Sequence, residues 1–209
     1  MPGSGVFMTL FDLPSRELLP FDGSALFHEW VLGDLNPHAV MSELTDNISW
    51  ESHTIKMFGK EYPQPRLIAW FGDPGSEYSY SGLKMNVRNW IEPILRLKEI
   101  VQDYAEVEFN SVLVNYYRDG NDKVGWHRDD EPELGATPTI ASLSLGATRR
   151  FKFRHLETQQ VVPIDLPSGS LVVMSGLSQA CWEHEAPRQI AVTEPRINLT
   201  FRQVGNVER

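Results

Sequence analysis

A histidine and an aspartate stand two residues apart in the segment GWHRDDE, at His127 and Asp129. On an extended strand, side chains at positions i and i+2 project from the same face, so this imidazole and this carboxylate could reach one metal ion. A third ligand must come from elsewhere in the chain. The candidate is His184 in CWEHEAPR, which follows the apolar segment SLVVMSG.

Two histidines and one carboxylate fit more than one metal. They can occupy one face of an octahedron around iron(II) and leave three positions open for a chelating cosubstrate and O2. Zinc hydrolases also combine histidine with carboxylate ligands, so the three residues alone leave the metal undecided. The other histidines have no comparable pairing and are interpreted as surface or structural residues; they are His28, His38, His53 and His155.

Polar residues alternate along the segment RINLTFR, which places Arg196, Asn198, Thr200 and Arg202 on one face of a predicted strand. An upstream segment, VLVNYY, has Asn115 and Tyr117 on one face. These faces could simply meet solvent. If they point into a barrel instead, they need a polar guest, because burying each group unpaired costs about 1–3 kcal/mol.

The two arginines of RINLTFR could bind opposite ends of one ligand. Arg196 and Arg202 are six residues apart, so their Cα atoms should be separated by about 20 Å at the rise of a strand. Arginine binds a carboxylate through two parallel charge-assisted hydrogen bonds. A small molecule with a carboxylate at each end and a keto group that chelates iron would satisfy both arginines and the metal.

The elements that position these residues are short strands with helices before them. Asn36 and Pro37 predict the start of a helix over 37–46, and helical spacing predicts another over about 90–104, with Pro93 in its first turn. From about residue 107 the segments VEFNSVLVNYY, TIASLSL, FKFRH, SLVVMSG and RINLTFR predict strands separated by Gly and Pro. The fold class expected is mainly β with flanking helices (α+β), a jelly-roll core.

Composition restricts the partners. The chain has 209 residues and a net charge of −9, which argues against extensive binding to backbone phosphates. A local basic face is possible, although the same charges could merely solvate a sheet; it would comprise Arg149, Arg150, Lys152 and Arg154 with Lys56, Lys60 and Arg66. The single cysteine, Cys181, suits a reducing compartment. The sequence predicts neither a membrane span nor a secretory signal.

Several of these segments together resemble the AlkB family of iron(II)- and 2-oxoglutarate-dependent nucleic-acid demethylases. They are FNSVLVNYYRDGNDKVGWHRDDEPELG, IASLSLGATRRFKFRH, the region around His184, EPRINLTFR and PRLIAWFGDPGSEYSYSG. The resemblance covers roughly residues 55–203 and mixes features of the double-strand and single-strand branches. It implies one domain over 1–209, with an N-terminal extension (1–54), base-recognition hairpins, loops and a helix (55–106), and a double-stranded β-helix (107–203).

The resemblance also implies roles for individual residues. Iron would be bound by His127, Asp129 and His184. The residues implied to bind 2-oxoglutarate are Asn115, Tyr117, Arg196, Asn198, Thr200 and Arg202, with Arg196 at the distal carboxylate and Arg202 at the carboxylate beside the iron. Those implied to bind the nucleic-acid substrate are Asp130, Tyr78, Ser79, Tyr80, Phe58 and Arg66. Asp130 could instead be a partner of a metal ligand or a solvated acid, and Phe58 could equally be a hairpin-tip residue that packs on its own domain.

The function implied is oxidative demethylation of bases such as 1-methyladenine and 3-methylcytosine in DNA, with release of formaldehyde, succinate and CO2. Iron(II), 2-oxoglutarate and O2 are the expected cofactors. Alkylated DNA is the expected partner, and the protein is expected to be a monomer that does not bind a membrane. The location would be cytoplasmic in a bacterium or nuclear in a eukaryote. Alternatives are action on RNA, protein or a small molecule, and a nucleic-acid-binding module without catalysis.

Overall fold

A computed structural model of the chain describes residues 15–57, 60–76, 79–80, 83–84 and 87–205. Its helices and strands, in chain order, are β1 (Arg16–Glu17), β2 (Ser24–His28), α1 (Pro37–Asn47), β3 (Thr54–Met57), β4 (Lys60–Pro63), β5 (Leu67–Gly72), β6 (Ser79–Tyr80), β7 (Leu83–Lys84), α2 (Glu92–Ala105), β8 (Ser111–Tyr117), β9 (Val124–His127), β10 (Ile140–Gly146), β11 (Arg149–His155), β12 (Val161–Leu166), β13 (Leu171–Ser175), α3 (Ser178–Cys181), β14 (Trp182–Ala186) and β15 (Arg196–Arg202). A 3₁₀ turn spans Pro132–Leu134.

Two antiparallel sheets form the body of the fold. The larger has seven strands in the order β1-β2-β13-β10-β15-β8-β5, and the smaller has four in the order β12-β11-β14-β9. The chain passes back and forth between them from β8 to β15, which is the connectivity of a jelly roll. The prediction of a mainly β jelly-roll with flanking helices is therefore confirmed. The pairs β3–β4 and β6–β7 form separate two-stranded sheets.

Both predicted helices are present. The side chain of Asn36 accepts hydrogen bonds from the backbone N–H groups of His38 and Ala39, which caps α1. α2 begins at Glu92, so Pro93 lies in its first turn. Backbone N–H groups in the first turn have no acceptor within the helix, so the missing N–H of proline costs no hydrogen bond there. Buried residues of α1 and α2 share a hydrophobic core with the seven-stranded sheet. The longest helix among the described residues, α2, has 14 residues, fewer than a membrane-spanning helix needs.

β15 separates this hydrophobic core from the interior between the sheets. Its residues Ile197, Leu199 and Phe201 belong to the core that α1 and α2 cover. Its alternate residues, from Arg196 to Arg202, are also buried and lie on the opposite face. The interpretation in which this polar face meets solvent is therefore wrong.

Strands outside the five segments that alternation predicted as strands complete both sheets. β2 pairs with β13, and β5 pairs with β8 at the edge of the large sheet. In the small sheet, β12 and β14 flank β11, and β9 pairs with β14. β2, β9 and β14 have only four or five residues, β5 is apolar along its whole length, and β12 contains a proline, so none of them shows a long hydrophobic alternation.

The structure does not support the expected basic face on β11. Arg149 points inward and is buried, whereas its neighbours alternate outward. Each outward cation has an acidic partner on an adjacent strand: Arg150 with Asp165, Lys152 with Glu185, and Arg154 with Glu183. Arg66 is buried as well. The strand's charges thus neutralise a solvated sheet surface, as the alternative interpretation held.

Candidate metal centre and adjoining anion pocket

The two histidines of the predicted metal site lie side by side on neighbouring strands. His127 ends β9, His184 is the central residue of β14, and their Cα atoms are paired in the register of the two strands. Their ring centroids are 4.3 Å apart. With one atom from the Asp129 carboxylate, the candidate ligand atoms of the three residues all lie within 4.8 Å of one another. A single ion can therefore contact all three.

Asp129 reaches this position from a loop, so the expectation that it shares a strand face with His127 is wrong. β9 ends at His127, and residues 128–130 are irregular. Two contacts hold Asp129 instead of a strand ladder: its backbone N–H donates to Oε1 of Gln179 at 3.0 Å, and its Oδ1 accepts from Arg202 at 2.9 Å. The side chain is buried.

The protonation of the three residues suits a divalent cation. Burial lowers the pKa of His184 to about 3, and burial also lowers the pKa of His127. Burial alone would raise the pKa of Asp129, but the guanidinium of Arg202 and the two imidazoles outweigh it and bring the pKa to about 2. At neutral pH the cluster therefore offers two neutral imidazoles and one carboxylate.

Two further features fit a metal ion at this cluster. Nδ1 of His127 lies 2.9 Å from the carbonyl oxygen of Gly125. When Nδ1–H donates there, the lone pair of Nε2 is free to bind a metal, a common arrangement at metal sites. The Oδ2 atom of Asp129 is buried and has no hydrogen-bond partner among the described residues. A buried carboxylate oxygen without a partner is costly unless a cation or donor satisfies it.

A pocket between the sheets adjoins the three candidate ligands. It contains every residue that the resemblance assigned to 2-oxoglutarate, together with Arg66. The lining residues are Arg66, Leu113, Asn115, Tyr117, Val124, His127, Asp129, Ser142, Phe151, Met174, His184, Arg196, Asn198, Thr200 and Arg202. β8 and β15 supply most of the polar ones, because the two strands are paired with Asn198 opposite Asn115 and Arg196 opposite Tyr117.

Arg196 carries a buried positive charge at one end of this pocket. It is 2% exposed, its guanidinium lies 5.2 Å from the centre of the Tyr117 ring, and it donates to Oγ of Ser144 at 2.9 Å. Burial lowers its pKa to about 10, so it stays charged at neutral pH. No carboxylate in the described chain pairs with it, and its Nε has no hydrogen-bond partner there. An anionic ligand would fit this end.

Arg202 lies at the other end, where it contacts the metal-site carboxylate of Asp129. Between the two arginines, Asn198 donates to Oγ of Ser142 at 2.8 Å and accepts from Thr200 at 3.0 Å. These hydrogen bonds fix the side chains of Asn198 and Thr200 in one orientation on the wall of the pocket. The pocket thus has a cation at each end and a candidate metal centre beside one of them, which is suited to a short dianion with a chelating group.

The predicted substrate-binding residues are placed less uniformly. Arg66 is buried inside the pocket, where its Nε donates to Oδ1 of Asn115 at 2.7 Å. Asp130 is exposed, pairs with Arg128 at 2.5 Å and does not line the pocket. Ser79 and Tyr80 form β6, but their side chains, like the whole of Phe58 and Tyr78, lie outside the described residues. For base recognition the sequence-based assignments remain predictions.

Sequence reasoning missed four residues that support the site. Ser142 and Ser144 alternate on β10 and bond Asn198 and Arg196, and the alternation in TIASLSL could have identified them. Gln179, in a short helix, gave no sequence signal. Arg149 resembles a solvated charge but is buried, and it donates to the backbone carbonyls of residues 119, 122 and 187.

Glu131 is a further carboxyl group near the candidate ligands. Burial, together with the negative charge of Asp129, raises its pKa to about 7. Its Oε2 is buried and has no hydrogen-bond partner among the described residues. At neutral pH this group can therefore donate a hydrogen bond as well as accept one, which the ionised Asp129 cannot.

Comparisons with known proteins agree with this geometry. Residues 23–202 match the family model described as the 2OG-Fe(II) oxygenase superfamily. The alpha-ketoglutarate-dependent dioxygenase alkB homolog 3 of Mus musculus is 39% identical over 175 residues, which is 79% of this chain and 60% of that protein. The DNA oxidative demethylase ALKBH2 of Mus musculus is 35% identical over 202 residues, covering 91% of this chain and 84% of that protein.

A solved structure gives a matching fold. The structure of OsALKBH1 superposes with a TM-score of 0.63 over 91% of this chain and 100% of that one. The sequence identity is 19%, so this likeness concerns the fold alone. The chain spans about three fifths of the length of the alkB homolog 3 proteins that it matches, for which the covered share is 60% in Mus musculus and in Homo sapiens.

Proposed function

Because the chain belongs to the AlkB family within the 2OG-Fe(II) oxygenase superfamily, we propose that it removes methyl groups from alkylated DNA bases by oxidation, using iron(II), 2-oxoglutarate and O2. The observation that carries this proposal is the buried pocket in which a His–Asp–His cluster adjoins two arginines on one strand. The DNA substrate is proposed from the relative named a DNA oxidative demethylase, of which this chain covers 84%.

In this proposal His127, Asp129 and His184 bind iron(II). Neutral imidazoles and an ionised carboxylate are the forms required, and the lowered pKa values provide them without a proton having to leave at neutral pH. The ring orientation of His127 is set by the bond to Gly125, and the carboxylate orientation of Asp129 by Arg202. The three ligand groups are thus already oriented in the metal-free protein, so less conformational entropy is lost when the metal binds.

The same proposal assigns 2-oxoglutarate to the pocket between Arg196 and Arg202. Arg196 binds the distal carboxylate beside Tyr117, and Arg202 neutralises charge next to the metal while it holds Asp129. Asn115, Asn198 and Thr200 complete the polar wall. Arginine is suited to these positions because its guanidinium makes paired, charge-assisted hydrogen bonds to a carboxylate.

Bound iron and 2-oxoglutarate would supply the oxidising chemistry, in which O2 converts the cosubstrate to succinate and CO2 and one oxygen atom enters a methyl C–H bond, after which the hydroxymethyl group leaves as formaldehyde. The protein's own contribution is to orient the reactants and exclude water. The apolar residues Leu113, Phe151 and Met174 line the pocket beside its polar groups and limit water there.

Charge favours a cationic base over extensive phosphate binding. The chain carries a net charge of −9, and the cations along β11 already have acidic partners. Methylation at N1 of adenine or N3 of cytosine makes the base positive, so an acidic protein attracts the lesion more than the normal base. Asp130, exposed beside the metal ligand Asp129, is the residue proposed to contact it.

The experiment is a comparison of substrates with one enzyme preparation. Single-stranded DNA, duplex DNA and RNA, each with one 1-methyladenine or 3-methylcytosine, are incubated with the protein, iron(II) and 2-oxoglutarate, and formaldehyde and the restored base are measured. We expect turnover on DNA. Turnover confined to RNA would overturn the DNA assignment, and succinate formation without demethylation of any of these would point to a different substrate class.

A control variant tests the metal centre independently of the choice of substrate. Asp129→Ala removes the proposed carboxylate ligand, so it should form neither succinate nor formaldehyde. If this variant demethylates as fast as the natural sequence, the assignment of the metal centre is wrong.

A further inference from the structure

The loop that carries Asp129 is tied to α3 by a single side chain. After β9 ends at His127, no strand partner holds residues 128–130. The backbone N–H of Asp129 instead donates to Oε1 of Gln179 at 3.0 Å, a bond between residues 50 positions apart that is buried from solvent. The Gln179 amide therefore holds the backbone of this loop just beyond the end of β9.

Gln179 is itself fixed on both sides of its amide. It is 2% exposed, and its Nε2 donates to Oγ of Ser178 at 3.3 Å and to Sδ of Met174 at 3.5 Å. These two acceptors determine which way the amide faces, because with Nε2 directed at them the oxygen is directed at Asp129. A side chain with both ends engaged has few alternative rotamers and can hold a loop in one position.

The short helix that carries Gln179 is anchored at both ends by the turn before β2. At its start, the backbone of Ser178 approaches Gly23 so closely that a Cβ there would lie 2.5 Å from the Ser178 nitrogen. Gly23 also has φ +129°, which side-chain-bearing residues rarely adopt. Just past the helix end, Nε1 of Trp182 donates to the carbonyl of Phe21 at 3.1 Å.

We propose that Gln179 is a positioning residue of the metal centre, which sets the place of the Asp129 carboxylate through its backbone N–H. Gln179 does not line the pocket. Arg202 orients the carboxylate from one side, and Gln179 fixes the backbone from which it extends. This inference rests on the proposed metal centre but is independent of the nucleic-acid substrate.

The consequence is a specific loss of metal affinity. Removing a residue that hydrogen-bonds to a metal ligand typically lowers the affinity for the metal by roughly 10- to 100-fold. Gln179→Met keeps the length of the side chain and loses the oxygen acceptor, so we expect a loss in that range for Mn(II). Gln179→Glu keeps an oxygen opposite the N–H of Asp129 and should bind Mn(II) more tightly than Gln179→Met.

The experiment is an anaerobic titration with Mn(II) alone, followed by electron paramagnetic resonance, with unfolding temperatures measured in parallel. The matched control is Gln64→Met, because Gln64 is a buried glutamine that does not line the pocket. Gln179→Met should weaken Mn(II) binding, whereas Gln64→Met should bind as the natural sequence does. At saturating metal, the KM for 2-oxoglutarate should be unchanged in both.

The outcomes distinguish a failure of the proposed metal centre from a failure of the positioning role of Gln179. If the natural sequence binds no Mn(II), or if Asp129→Ala binds it equally well, the proposed metal centre itself fails. If the natural sequence binds Mn(II) and Asp129→Ala does not, but Gln179→Met retains full affinity, the positioning role is wrong. Equal weakening in Gln179→Met and Gln179→Glu would also refute it, because the oxygen acceptor would then be irrelevant.

Discussion

Arg196→Met should separate stability from cosubstrate binding. Arg196 is a buried cation that faces no carboxylate in the described chain, and its Nε has no hydrogen-bond partner there. Keeping such a charge away from water is unfavourable in the ligand-free protein. Methionine fills a similar volume without the charge. We therefore expect the free energy of unfolding without ligand to stay equal or to rise.

The same substitution should weaken 2-oxoglutarate binding strongly. Hydrogen bonds to charged groups contribute about 1.5–3 kcal/mol, which corresponds to a rise in KM of roughly 10- to 150-fold. The assay is succinate formation against 2-oxoglutarate concentration, with the unfolding temperature measured with and without the cosubstrate. The natural sequence should be stabilised by 2-oxoglutarate, since the ligand binds only the folded state, and Arg196→Met should not at the same concentration.

Arg149→Met is the matched control. Arg149 is also buried and also lies against Tyr117, with its guanidinium 5.6 Å from the ring, but it donates to three backbone carbonyls. One of these hydrogen bonds is buried and the other two are partly buried. Leaving a buried acceptor unpaired costs about 1–3 kcal/mol, so this variant should lose at least ~1 kcal/mol of stability. Were Arg196→Met destabilised as much as Arg149→Met, with its KM unchanged, the account of Arg196 as an anion-binding residue would be refuted.

Three other substitutions test separate parts of the structure. Asp130→Ala should reduce base demethylation more than succinate formation without substrate, and equal losses in both assays would remove Asp130 from base recognition. Burial would raise the pKa of Asp122, but hydrogen bonds from Arg118 outweigh it and lower the pKa below that of a free aspartate. The stability that this carboxylate contributes is therefore present above the pKa of the unfolded chain and is lost as the pH falls through the lowered pKa. The free energy of unfolding, measured with urea between pH 6 and pH 3, should therefore decrease less steeply with falling pH in Asp122→Asn than in the natural sequence. An identical pH dependence in the two proteins would contradict this. Gly120→Ala would place a Cβ 1.8 Å from the carbonyl oxygen of Gln189, so its unfolding temperature should drop clearly, and an unchanged temperature would show that the two loops are not in contact.

The sequence predicted the parts of the site that follow strand periodicity. Alternation in RINLTFR identified the inward face of β15, and the same reasoning found Asn115 and Tyr117 on β8, because both segments are regular strands with paired registers. The bounds of both helices were predicted to within two residues, because Asn36 caps the start of α1 and Pro93 lies in the first turn of α2.

Residues whose positions depend on distant partners could not be found in this way. Asp129 lies beyond the end of β9 and is placed by Gln179 and Arg202, which are 50 and 73 positions away. Arg149 has the same residue type as its solvated neighbours, and only the approach of the loops around residues 120 and 188 reveals that it is buried. Hydrophobic periodicity carries no information about such contacts.

Crystals of the protein soaked with manganese and 2-oxoglutarate under anaerobic conditions would test the central claim most directly. We expect one anomalous peak in bonding contact with His127, Asp129 and His184, and a chelated keto acid whose far carboxylate is bound by Arg196. A peak at any other group of residues, or a cosubstrate whose far carboxylate is remote from Arg196, would contradict the account.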